Sequence, residues 1–163
     1  MSIKFSTKLD LLAELVDLPK AICNDLIIKS VKQPKNSYVA EAKVIVRLSD
    51  YQEIKNLSFE CVSSHQINGF WKHQFKLFHL HEPTRNKDCF MRLDIVDTFT
   101  VHSDAKKDRI CGAHIHILDK AVKVEDSQTN NLNDWFDYFK SAANLELHGK
   151  LIDPVSEKQR GLL

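Results

Sequence analysis

Two stretches, Cys89-Phe90-Met91-Arg92-Leu93-Asp94-Ile95 and Ala113-His114-Ile115-His116-Ile117, decide how this chain folds and where its chemistry lies. Successive side chains of a strand point to opposite faces. Met91, Leu93 and Ile95 therefore fall on one face, with Phe90, Arg92 and Asp94 on the other. The second stretch repeats the logic, with Ala113, Ile115 and Ile117 opposite His114 and His116. If the two strands pair, their apolar faces must share one side of the sheet, so their polar faces coincide too. Arg92, Asp94, His114 and His116 then form one surface. About 16 residues join the strands, long for a hairpin loop. His102, beside Ser103 and Asp104, can fold over that surface.

Outward from this pair, the middle of the chain is rich in strand signals. Tyr38 to Leu48 alternates Tyr38, Ala40, Ala42, Val44, Val46 and Leu48 against Val39, Glu41, Lys43, Ile45 and Arg47, the period of a half-buried strand. Leu57 to Val62 reads as a second strand and Phe70 to His81 as a third, with Asn68-Gly69 as a tight turn before it. A turn from Glu82 to Asp88, containing Pro83, leads into Cys89 to Val96, and Ala113 to Leu118 completes the set. No helical crossovers separate these segments, so antiparallel order is expected. Residues 6–17 read as a helix capped by Ser6 or Thr7 and stopped by Pro19. Residues 20–32 read as a short helix running into a strand, and Gln33 to Ser37 as a turn. Asn133 to Phe139 reads as a helix with Trp135, Phe136 and Phe139 on one stripe, and the tail from Gly149 as loose. The expected fold is thus α+β: a single antiparallel sheet of about five strands (38–118), with an N-terminal helical segment (1–33) and a C-terminal helical region (131–147) packed on one face.

The 163 residues fit a single domain, and such a chain buries roughly 70% of its unfolded surface without staples. Lys plus Arg number 23 against 22 Asp plus Glu, so no global field attracts nucleic acid or acidic lipid. The four cysteines, Cys23, Cys61, Cys89 and Cys111, are scattered without a CxxC pair, unlike a secreted disulfide scaffold. Lys4, Lys8, Asp10 and Glu14 break the N-terminal stretch, so no signal peptide with an unbroken apolar core is expected, and no apolar run approaches a membrane span. The expected location is cytoplasmic.

The Arg92, Asp94, His102, His114 and His116 set has plausible chemistry. Two imidazoles serve as general acid and base near neutral pH. An Arg holds phosphate bidentately, and an Asp orients a His. These are ingredients of metal-independent RNA cleavage or phosphodiester hydrolysis. Two His at i, i+2 with an Asp also suit Zn²⁺, although the ligand set is incomplete in sequence and no cofactor is assigned. The bland alternatives are a surface ion pair between Arg92 and Asp94 and imidazoles that merely fill a polar face. Cys111, three residues from His114, reads as a small hydrophobe. The Lys106-Lys107-Asp108-Arg109 run reads as a solvated turn. A second pair, His79-Leu80-His81, repeats the spacing. Two such strands resemble phosphodiesterases with paired His motifs, but His stands here where those enzymes place Thr or Ser.

Met91-Arg92-Leu93-Asp94-Ile95, then His102, then Ile110-x-Gly112-x-His114-Ile115-His116-Ile117, resembles a family of small bacterial and phage proteins built around a domain of unknown function. Its members carry an Arg-Leu-Asp strand, a His followed by an Asn-Pro-Asp-Gly-like turn, and a His-x-His strand. The likeness covers residues 70–145, and Ser103 to Asp108 replaces the tighter Gly-containing turn of the relatives. It implies association with phages, prophages or defence loci and supplies no activity. Three functions follow as expectations. One is a small nuclease or phosphodiesterase acting on RNA or a nucleotide, with His114 and His116 as acid and base. The second is a non-enzymatic inhibitor that binds a protein partner, in counter-defence or beside a toxin. The third is a metal-binding module.

Overall fold

The computed structural model describes residues 8–32, 36–65, 71–96, 101–103, 109–124 and 132–152, with the backbone alone for 101–103 and 109–111. The helix caps at Ser6 and Thr7, most of the Gln33–Ser37 turn, Asn68-Gly69, the basic run at 106–108 and the tail beyond Ile152 lie outside the described residues.

The chain opens with α1 (Lys8–Asp17), then β1 (Lys20–Ile22), β2 (Leu26–Ile27), β3 (Lys29–Val31), β4 (Ser37–Ala42) and β5 (Val46–Arg47). Three long strands follow: β6 (Leu57–His65), β7 (Trp71–His81) and β8 (Asn86–Ile95). Next come β9 (Val101–Ser103), β10 (Arg109–Cys111), β11 (His114–Ile117) and β12 (Lys120–Lys123). The last elements are α2 (Leu132–Ala142), β13 (Leu145–Leu147) and β14 (Leu151–Ile152). Among the described residues no helix is long and apolar enough to cross a membrane.

The fold is α+β, as expected, but the main sheet has seven antiparallel strands rather than about five, in the order β12-β11-β8-β7-β6-β4-β3. The five expected strands form its centre, and β3 and β12 extend its edges. β12 escaped the sequence reading because its hairpin turn, Leu118-Asp119, carries no Gly or Asn. Leu118 takes the left-handed conformation there (φ 57°), a place where Gly or Asn is the usual signal. The sheet is also not single: β1 joins β13 and β5, β2 joins β14, and β9 pairs with β10. Residues 20–32 hold three short strands and no helix. The strand expected over 38–48 ends at Ala42, and Val46–Arg47 leaves to pair with β1. The turn expected over Glu82–Asp88 is shorter, because β8 begins at Asn86.

Cross-strand rungs show why one face is core. Ala42, Phe59, Leu77, Met91 and Ile117 align in one rung, and Ala40, Cys61, Phe75, Leu93 and Ile115 in the next. Helix α2 lays Phe136 and Phe139 over Phe59 and Phe75, with ring centroids 5.5–5.9 Å apart. Leu12, Leu15 and Val16 of α1 join the same cluster. Lys20 fastens the helices. Its ammonium is fully buried and donates to the carbonyls of Val16 and Leu18, beside the end of α1, and of Ala143, just past α2. A cation suits helix C-termini, though burial pulls its pKa down to about 8 against the pull of Asp17.

Candidate active site

The opposite face of the sheet carries the polar rungs. One runs Val62, Gln74, Asp94, His114 and Lys123; its neighbour runs Glu60, Lys76, Arg92, His116 and Ala121. The pairing of β8 with β11 sets His114 opposite Asp94 and His116 opposite Arg92. Four of the five expected residues thus converge. The fifth, His102, lies on β9 opposite Ile110 of β10, and its side chain lies outside the described residues. The segment read as a long loop between β8 and β11 therefore holds a small hairpin, β9–β10, running into β11 through Gly112.

Asp94 is the hub. Arg92 Nε donates to its Oδ2 at 2.8 Å, and Gln74 Nε2 donates to its Oδ1 at 2.8 Å. His114 Nε2 lies 3.2 Å and His116 Nε2 3.4 Å from the same Oδ2. Arg92 Nη2 also donates to His116 Nε2 at 3.1 Å. A guanidinium has only donors, so that ring nitrogen accepts. His114 Nδ1 donates to the Gly112 carbonyl at 2.8 Å. Gly112 sits at φ 75°, a conformation open to glycine, and this turns its carbonyl toward the ring.

Exposure divides the cluster. Asp94 and His114 have no exposed side-chain surface, whereas Arg92 is 34% and His116 19% exposed. Burial pushes the Asp94 carboxyl up, but His114, the Arg92 charge and Gln74 outweigh it and hold it well below the usual carboxylate range. Burial likewise opposes a charge on His114, yet Asp94 and the Gly112 carbonyl raise its pKa above the ordinary imidazole value. Both His114 nitrogens face oxygen atoms, Nδ1 the Gly112 carbonyl and Nε2 the Asp94 carboxylate. An acid–base pair of two accessible imidazoles, expected from sequence, finds only His116 at the surface.

Asp94, His114 and His116 also fit a divalent ion. One donor atom from each lies within 4.8 Å of the others. A tetrahedral ion with bonds of about 2.0–2.1 Å holds its donors about 3.3 Å apart; the 3.2 and 3.4 Å from Asp94 to the two imidazoles match this, and the imidazole donors, within 4.8 Å of each other, would close up around an ion. The outer contacts match as well. A metal-bound His ordinarily donates its other N–H to a carbonyl, and a metal-bound carboxylate is itself hydrogen-bonded; Gly112 and Gln74 fill those places. Gln74 escaped the sequence reading, although β7 alternation puts it on the face of Lys72 and Lys76. Its value appears only once β7 is known to lie beside β8.

No protein-family model, curated protein or solved structure matches the chain.

Proposed function

We propose that this chain hydrolyses phosphodiester bonds, as a small nuclease or phosphodiesterase, with a divalent transition-metal ion held by Asp94, His114 and His116 and the phosphate taken by Arg92. The observation that carries the reading is the sealed Asp94–His114 pair in contact with the half-buried Arg92 and His116. An imidazole without exposed surface cannot meet a substrate, so the metal-free acid–base scheme loses one of its two partners. The same ring, pinned through Nδ1 to Gly112, is well placed as a ligand. A catalytic ion needs a coordination position left open, and three protein donors would leave a fourth position on the partly exposed His116 side.

An ion held by Asp94, His114 and His116 would activate water as a nucleophile at neutral pH. Arg92 matches the planar fork of a phosphate and opposes the charge that builds on its oxygens. The net charge of +1 gives no broad attraction for a nucleic-acid strand, which favours a small phosphodiester or a short single-stranded segment.

The test is elemental analysis of protein purified without an affinity tag, together with hydrolysis of bis(p-nitrophenyl) phosphate before and after chelation. Activity lost to the chelator and restored by the ion is expected, with uptake of up to one equivalent of Zn²⁺ or Mn²⁺ after equilibration with excess metal. A preparation that binds neither ion, or one that cleaves equally well in chelator, sinks the reading.

A further inference from the structure

The guanidinium of Arg92 occupies atoms that a metal would need. Its Nε lies 2.8 Å from Asp94 Oδ2 and its Nη2 3.1 Å from His116 Nε2. Two of the three donors are thus engaged by one side chain, which places a positive charge where a cation would sit. An ion cannot share the His116 lone pair with an N–H donor, so Arg92 must leave before the ligand set is complete. Arg92 has room to do so, since a third of its side chain is exposed although the Asp94 carboxylate that it contacts is buried. A phosphate is the natural reason for leaving, because it offers the same fork two acceptor oxygens.

We infer that Arg92 is a built-in occupant of the ion site, so that a phosphodiester, by drawing Arg92 away, opens the Asp94, His114 and His116 set to the metal. The inference rests on the proposed metal centre and adds its regulation: anion and metal bind with positive coupling. By linkage, each then raises the affinity of the other by the same factor. The resting protein holds the ion weakly, and the hydrolytic centre assembles on the substrate. Arg92 has two jobs under this scheme, blocking the ion and then seating the phosphate, and the substrate decides between them.

Titration calorimetry with Mn²⁺ tests this, with and without dimethyl phosphate, a small phosphodiester that does not precipitate the ion. For the wild type, saturating dimethyl phosphate should tighten Mn²⁺ binding by about tenfold or more, within the usual range of coupling. Arg92→Met cannot hydrogen-bond to Asp94 or His116. It should bind Mn²⁺ at least about tenfold tighter than the wild type without the anion, and lose most of the anion effect. Arg92→Gln, read beside it, guards against a fault of folding peculiar to Met, with circular dichroism as the check. Equal Mn²⁺ affinity in wild type and both variants, whatever the anion, overturns the gating by Arg92 and leaves the metal centre standing. Absence of Mn²⁺ binding in all three proteins, with Zn²⁺ giving the same answer, overturns the metal centre itself.

Discussion

The chain carries two His-x-His pairs of identical spacing, and the sheet treats them differently. His79-Leu80-His81 ends β7. There His79 faces Asp88 across the strand pair, but Asp88 Oδ2 is held by Lys8 of α1 at 2.6 Å. Burial lowers the His79 pKa, with Asp88 pulling the other way, and His81 turns to Thr84 at 2.9 Å. His114-Ile115-His116 forms most of β11, and both rings meet one buried carboxylate. The spacing fixes only that two imidazoles share a face. The residue across the strand decides whether they share an atom, and so whether the pair has chemistry.

Three experiments can break that comparison. The largest effect is expected at the two carboxylates. Asp94→Ala strands a buried imidazole and a guanidinium, and should cost about 3–5 kcal/mol of stability. Asp88→Ala removes a partly exposed ion pair and should cost no more than about 1 kcal/mol. Urea denaturation of both variants measures the gap, and similar losses would make the two carboxylates equivalent. Next come the imidazoles. His116→Ala should lower phosphodiester hydrolysis on the order of 10²–10³-fold, the scale of a lost metal centre, with the thermal melt little changed. His81→Ala should stay within about twofold, as surface changes do. Equal activity in both variants would erase the distinction. The smallest effect belongs to Gln74, which has no counterpart at the first pair. Gln74→Leu should weaken Mn²⁺ binding by about 10–100-fold, as other outer contacts of metal ligands do. An unchanged affinity would show that Asp94 needs no help in holding its orientation.

Much of this was legible residue by residue. Alternation put Arg92 with Asp94 on one polar face and His114 with His116 on another, and the two faces were expected to coincide if the strands paired, as they do. The Trp135, Phe136 and Phe139 stripe announced the helix that covers the sheet. Other features left no local mark. Nothing in the sequence singles out Lys20, yet it caps two helix ends that meet only in space. Val46–Arg47 continues the alternation of β4, but pairs with β1, since alternation sets which face a residue takes and not which strand lies beside it. β13 lies immediately after α2 and was absorbed into the helical region, because three residues are too few to show a period.

The sequence by itself determined the class of fold and the division of each long strand into an apolar and a polar face, consequences of steric alternation within one strand. Only the tertiary structure decided that His114 is sealed while His116 is open, that Gln74 and Gly112 hold the second atoms of Asp94 and His114, and that Arg92 lies across the donors. Burial and the choice of partner depend on which distant segments come to lie over a residue. That information is spread over the whole chain and is not written at any one position.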